Sequence, residues 1–331
     1  MTTEESPCFV SGLFSVVLVG VVSFIARKFF KGTQFTERVS AKEKVAVVTG
    51  ASGGIGLETV AGLNKAKAKV YMLCRSLPKA EEAVIDLVKK GCDATRLIIV
   101  HCDFNDFNSV RQCAKTVLEV ESKIDILVNN AGVACTKYAK SVDGHEETWQ
   151  TNHLGPFLLT ELLLPAVKQA KDGRIVNVSS RLALKSPRID VNTVDEKSSF
   201  GLLTAYPRSK LANIMHAREL TRKLRANGSN VIINSLHPGV VNSELGRNTF
   251  LSITPIFQIT APFRWFFMKT NRDGAQTTLY VALSKKVDGV SGKYFSNCKL
   301  SDEGPIAKNE SDCEALYEYS LKQVGLLKSN A

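Results

Sequence analysis

Tyr206 and Lys210 stand four residues apart in Y-P-R-S-K, at the head of the long segment Tyr206 to Arg225. On a helix that spacing puts both side chains on one face. A phenol and an ammonium so placed can pass a proton to or from an oxygen, because a nearby cation draws a phenol pKa of about 10 toward neutrality. Of the seven tyrosines only this one has a lysine four positions on, and chance could supply one such pair, so the chemistry must be argued from its company.

That company begins with TGASGGIG, Thr49 to Gly56, between a β-branched run and a segment of helical length. Glycines in such a turn let the backbone approach a pyrophosphate, and the following helix presents free N–H groups and its positive dipole end. Gly50, Gly54 and Gly56 fit the spacing T-G-x-x-x-G-x-G, whereas Gly50, Gly53 and Gly56 fit T-G-x-x-G-x-x-G, the form found in sugar-nucleotide epimerases. Ser52 and Ile55 complete the phosphate-facing turn. After the next apolar run come Cys74, Arg75 and Ser76, where an acidic residue would bind the ribose hydroxyls of NAD. A guanidinium there pairs with a 2′-phosphate instead, so the expected cofactor is NADP(H).

The elements that must hold these groups alternate. Apolar runs at 45–49, 69–73, 97–100, 124–130, 174–180 and 231–236 are separated by stretches of helical length such as Lys79 to Lys90 and Phe107 to Glu121. Buried strands separated by helices require a parallel sheet covered on both faces. The expected fold is α/β, a Rossmann-type doubly wound parallel sheet forming a single domain over 45–315, with a C-terminal tail at 316–331.

Ahead of it lie a short tail (1–8), an uncharged run from Phe9 to Ala26 and a basic linker (27–44). The 18 residues of that run would rise about 27 Å as a helix, close to the hydrocarbon thickness of about 30 Å. Glu4 and Glu5 precede it and Arg27-Lys28 follow it, the reverse of a cleavable signal, so a retained N-terminal transmembrane helix is expected. Arg27, Lys28 and Lys31 belong on the cytosolic side, which leaves the sequons at Asn177, Asn227 and Asn309 unmodified. The endoplasmic reticulum is the expected host membrane.

The net charge of +11 is spread along the chain apart from the cluster after the apolar run, which fits an anionic membrane surface rather than nucleic acid. The eight cysteines form no C-x-x-C pair and read as free thiols of a reducing compartment. The five histidines lack ligand spacing, and no metal is expected.

The order TGASGGIG, Asp103, NNAG (Asn129 to Gly132), Asn152, NVSS (Asn177 to Ser180), Y-x-x-x-K and HPG (His237 to Gly239) resembles the short-chain dehydrogenase/reductase family over nearly the whole chain after the apolar run. NNAG belongs to the reductase branch and removes the epimerase spacing. Closer still, C-R-S at Cys74, NHLGPFLLT at Asn152, SKLANI at Ser209 and HPGVVNSEL at His237 resemble the retinol dehydrogenase group, in which an N-terminal hydrophobic anchor is typical. The resemblance implies an NADP(H)-dependent oxidoreductase acting on a carbonyl or alcohol. Tyr206 would be the general acid/base, with Lys210 lowering its pKa and holding the nicotinamide ribose. Ser180 would bond the substrate oxygen, with Ser179 as the fallback, and Asn152 would place a water in the proton relay. Asp103 and Phe104 would meet the adenine, and Asn130, Ala131 and Gly132 would line the cofactor. Pro238, Gly239, Val241 and Ser243 would cover the nicotinamide.

Two features depart from the family's usual form. Ser180 and Tyr206 are 26 residues apart, longer than usual, and Ser52-Gly53 stands where retinol dehydrogenases often have Asn-Thr. The aromatic and apolar stretch Phe250 to Met268, broken by Pro255 and Pro262, reads equally as a substrate lid, a membrane contact or plain core. Either functional version favours a lipophilic substrate such as a retinoid, a sterol or a fatty aldehyde. The rival to an enzyme is a non-catalytic NADPH-binding lipid sensor or carrier. Self-association into a homo-oligomer stays open.

Overall fold

The computed structural model describes residues 24, 27–28, 30–241 and 266–327. The expected transmembrane run lies outside them except for Phe24, as do Ser243 and most of Phe250 to Met268. Among the described residues no helix is long and apolar enough to cross a membrane.

Strands and helices alternate from β1 (Val45–Thr49), α1 (Gly54–Lys65), β2 (Lys69–Cys74), α2 (Leu77–Lys89), β3 (Leu97–His101) and α3 (Phe107–Leu118) to β4 (Ile126–Asn129) and α4 (Gly155–Lys168). Then follow β5 (Arg174–Val178), α5 (Leu202–Ala226), β6 (Ile232–His237), α6 (Asn271–Leu283), β7 (Tyr294–Ser296), β8 (Lys299–Ser301) and α7 (Glu310–Gln323). One sheet runs in the order β3-β2-β1-β4-β5-β6-β7-β8. Every neighbouring pair is parallel except β7 with β8.

Strand alternation explains why β1 is buried throughout. Val47 points into one core, with Leu127, Phe157 and Leu211, while Ala46 and Val48 point into the other, with Val60, Met72 and Leu279. The sheet is thus covered on both faces, as its continuous apolar runs require. Strand order reverses between β1 and β4, and this opens a crevice beyond the carboxyl ends of the strands.

Three expectations change. The hairpin β7–β8 adds two strands to the six read from the sequence. Its two-residue turn, Asn297-Cys298, has both residues at positive φ (54° and 56°), the geometry that suits the twist of a tight hairpin. The segment read as a linker packs on the body: Gln34 Nε2 donates to Asp273 Oδ1 at 3.2 Å, Ser284 Oγ donates to Glu37 Oε2 at 2.6 Å, and Ala41 is buried. The break expected at 315 falls inside α7, which buries Cys313, Leu316, Tyr317 and Ser320 against α4 and α5 and so belongs to the core.

Candidate active site

A cavity of about 1280 Å³ occupies the crevice. Gly50, Ser52, Gly53, Gly54, Ile55, Arg75, Ser76, Asp103, Phe104, Asn130, Ala131, Gly132, Ser180, Tyr206, Lys210, Pro238, Gly239 and Val241 all line it. Two expected residues, Gly56 and Asn152, stand just behind its wall.

The loop after β1 settles which glycines matter. Gly50 and Gly54 have φ of +62° and +56°, a region that side chains disfavour, whereas Gly53 is extended at −166°. A Cβ on Gly56 would lie 2.2 Å from the Gly50 carbonyl oxygen, so α1 packs this closely on the loop only with glycine there. A Cβ at Gly53 or Gly54 would meet nothing within 4 Å, which leaves the backbone open to the cavity at the N-terminus of α1. Geometry therefore selects Gly50, Gly54 and Gly56, and an open helix N-terminus of this kind fits a dinucleotide pyrophosphate.

Thr49 and Asn130 lock this loop to β4. The backbone N–H groups of Asn130 and Ala131 donate to Thr49 Oγ1 at 2.9 and 2.8 Å, and Asn130 Nδ2 donates to the Thr49 carbonyl at 2.9 Å. Beside them Asn129 donates to Thr160 and Asn177, both at 2.9 Å, so the first asparagine of NNAG braces the sheet and the second braces the loop. Thr49 carried no expected role, although it opens the glycine motif.

At the end of β2, Arg75 is exposed to the cavity and Ser76 precedes α2. Lys79 also lines the cavity and was missed. Its signal was a cation in the first turn of a helix, where the macrodipole disfavours one unless an anion offsets it. Asp103 lines the same end, with Oδ1 accepting from the Asn105 N–H at 3.0 Å.

At the other end, β5 and α5 bring Ser179, Ser180, Tyr206 and Lys210 together. Ser179 Oγ donates to the Lys210 carbonyl at 2.6 Å, while the Ser180 side chain lies beside the Tyr206 phenol and acts on its pKa. Lys210 Nζ donates to the Val178 carbonyl at 3.1 Å and sits over the Tyr206 ring, 5.8 Å from its centroid. Burial lowers the Lys210 pKa to about 8. Burial also raises that of Tyr206, and the hydrogen bond from Ser180 offsets part of this. The Lys210 ammonium faces the ring of Tyr206, and Ser180 is the neighbour that lowers the phenol.

Asn152 falls in a π-helical turn, Gln150–Leu154, a distortion frequent at functional sites. Its amide grips the backbone of Val133, accepting from the N–H at 2.7 Å and donating to the carbonyl at 2.8 Å. A Cβ on Gly132 would lie 2.9 Å from Lys210 Nζ and 3.2 Å from Asn152 Oδ1, so the three residues adjoin and leave no room for a side chain.

The long interval between Ser180 and Tyr206 is pinned at Asp195. Its carboxylate pairs with His145 Nδ1 and accepts from the Glu146 N–H, both at 2.8 Å, and Arg208 Nη2 donates to the adjacent Val194 carbonyl at 2.8 Å. The interval is tied further to the start of α5 by Arg208 Nη1, which donates to Ser199 Oγ at 3.3 Å. Arg181, Leu182, Lys185, Leu202 and Leu203 from this interval line the cavity and were not anticipated. All seven described cysteines are unpaired, and the described residues contain no cluster of three or more His, Cys, Asp or Glu able to hold a metal.

The short chain dehydrogenase family model matches residues 44–252. Retinol dehydrogenase 14 of Mus musculus is 40% identical over 296 residues, covering 86% of this chain and 87% of its own. Retinol dehydrogenase 12 of Homo sapiens is 38% identical over 300 residues, covering 91% and 92%. Among solved structures, an uncharacterized protein from Mycobacterium paratuberculosis matches with a TM-score of 0.71 at 28% identity, over 89% of this chain and 98% of that one. A blue fluorescent protein from a metagenomic library, solved with NADPH, matches with a TM-score of 0.58 at 26% identity, over 77% and 96%. With the phosphate loop, the serine–tyrosine–lysine group and these relatives in agreement, the chain belongs to the short-chain dehydrogenase/reductase family and is a nicotinamide-dependent oxidoreductase related to the retinol dehydrogenases.

Proposed function

We propose that the protein is an NADP(H)-dependent reductase, reversible as a dehydrogenase, for a carbonyl or alcohol on a lipophilic substrate. The observation that carries this is one cavity holding Ser180, Tyr206 and Lys210 at one end and Arg75 with Lys79, and no carboxylate at the close of β2, at the other. The nicotinamide, when bound, supplies or takes the hydride. Ser180 and Tyr206 would bind the substrate oxygen, and the phenol, kept protonated by burial, would give it the proton in reduction. Lys210 and Asn152 would steady the wall behind them, and Arg75 would receive the 2′-phosphate. Exposed Leu182, Leu202, Leu203 and Val240 give the cavity an apolar rim suited to a greasy substrate. The named activity of the mouse and human relatives favours the same substrate class.

The apolar run 9–26 would anchor the enzyme in the endoplasmic reticulum membrane with its body in the cytosol. Phe24 is 71% exposed, and Phe30 packs against Phe266 and Phe267 with ring centroids 5.9 and 4.9 Å apart. Such an anchor would join a segment that packs on the body at Phe266 and Phe267. NADPH oxidation by the purified full-length protein with all-trans-retinal, steroid ketones and fatty aldehydes tests the activity. Turnover should be lost in Tyr206→Phe, and an unchanged rate in that variant refutes the role of the phenol. Glycosylation of Asn227 or Asn309 in cells would refute the orientation.

A further inference from the structure

The cavity is electrically divided. Its lining carboxylates, Glu82, Asp86 and Asp103, all come from α2 or the end of β3, at the Arg75 end. Around Ser180 and Tyr206 the charged lining groups among the described residues are Lys210, Arg181 and Lys185, all cations. Lys210 is buried and committed to the Val178 carbonyl. Arg181 and Lys185 make no ion pair with any described carboxylate, unlike Arg188 nearby, which is paired with Asp312.

Both belong to one 3-10 turn, Arg181–Lys185, that begins immediately after Ser180. At about 2 Å of rise per residue, the two backbone positions are about 8 Å apart along the turn. The turn is firmly seated: its first N–H donates to His237 Nδ1 at 3.2 Å, and the Ser180 hydroxyl accepts from the Leu182 N–H at 3.2 Å. The guanidinium lies close enough to the interior to act on His237, whose pKa falls to about 4 through burial first and then the charges of Lys269 and Arg181. Between and beside the two cations the wall is apolar, with Leu182 41% and Leu203 79% exposed.

Building on the reductase reading above, we propose that the substrate is an acidic amphiphile. Its carbonyl or alcohol reaches Tyr206, its hydrocarbon lies on Leu182, Leu202 and Leu203, and a carboxylate or phosphate is held by Arg181 and Lys185. A guanidinium and a lysine on one short turn suit such a group, since charge-assisted bonds to carboxylate or phosphate are the stronger kind and the apolar walls limit screening. A neutral lipid would leave both cations with water alone and would gain only the apolar contact.

The test uses the full-length protein in neutral detergent with NADPH, offering ω-oxo fatty acids and their methyl esters at matched chain lengths. The free acid is expected to show a KM at least about tenfold below that of the ester with similar kcat, the worth of one charge-assisted bond. In Arg181→Met/Lys185→Met this discrimination should fall to about one, through a rise in KM for the acid. Binding of the ω-hydroxy acids, followed by NADPH fluorescence, gives the same comparison without turnover. Equal KM values for acid and ester in the unaltered protein overturn the proposal, as does a double variant that keeps the preference. A preference that appears only on adding anionic phospholipid also overturns it, since the anion would then belong to the bilayer. Turnover of both compounds without discrimination leaves the reductase reading standing. Arg181-dependent binding of the acid without turnover does the reverse.

Discussion

The Ser179 hydroxyl donates to the backbone carbonyl of Lys210 at 2.6 Å, fastening the end of β5 to the helix that carries Tyr206. Two adjacent serines thereby acquire different work. Removing the Ser180 hydroxyl is expected to lower kcat about a hundredfold or more with little change in Tm. Ser179→Ala should instead leave a buried carbonyl less satisfied, costing about 1–3 kcal/mol and a few degrees of Tm, with a smaller kinetic effect. Steady-state kinetics and thermal unfolding of the two variants check the division, which fails if Ser179→Ala is the slower enzyme.

Lys210 and Tyr206 titrate apart. Burial and only partial relief from Ser180 hold the phenol above its ordinary value, so it keeps its proton through neutrality, whereas Lys210 is lowered to about 8. The reduction rate kcat/KM should therefore be level below about pH 8 and decline above it as Lys210 loses its charge. In Lys210→Met the residual rate should show no inflection there. An inflection that survives in that variant would assign the ionisation elsewhere.

Arg75 and Lys79 line the cavity at the end of β2 and the first turn of α2. Loss of one charge-assisted contact costs about 1.5–3 kcal/mol. Arg75→Ala should weaken NADPH binding about tenfold to a hundredfold and leave NADH binding nearly unchanged, and Lys79→Ala should act in the same direction. Titration of both cofactors by fluorescence decides it. Equal losses for NADPH and NADH would mean that neither residue reads the 2′-phosphate.

His153, in the π-helical turn before α4, and His216 of α5 have ring centroids 6.5 Å apart, both with pKa values lowered to about 3 by burial. A base lowered on folding stabilises fully above its unfolded pKa of about 6.5 and loses that contribution as pH falls toward the folded value. Each ring should cost about 1.4 kcal/mol per pH unit across that interval. Urea unfolding between pH 7 and 4 should show the decline, and His153→Gln should remove one ring's share of the slope. An unaltered slope in that variant would show that the ring is not held neutral.

Much of this protein could be read from residue order. Largely apolar runs separated by helical stretches dictate a doubly covered parallel sheet, since a strand buried on both faces has no solvated side to alternate. The glycine loop, Arg75 and the Y-x-x-x-K spacing depend on backbone freedom, charge and helical pitch, all local properties, and Gly50, Gly54, Arg75, Tyr206 and Lys210 line one cavity. Short β7 and β8 escaped because three-residue strands carry no periodicity.

What only the tertiary structure decided were choices between equivalent residues. Gly53 and Gly54 are the same in composition, and only backbone angles separate them. Ser179 and Ser180 are likewise identical letters, and the 2.6 Å bond across to Lys210 sorts them. The Asp195 clasp joins residues about fifty positions apart, and the charge division of the cavity sums over several loops. Local sequence carries propensity, pitch and charge. Which atom faces which across the fold is set by packing of distant segments, and no single stretch of chain contains it.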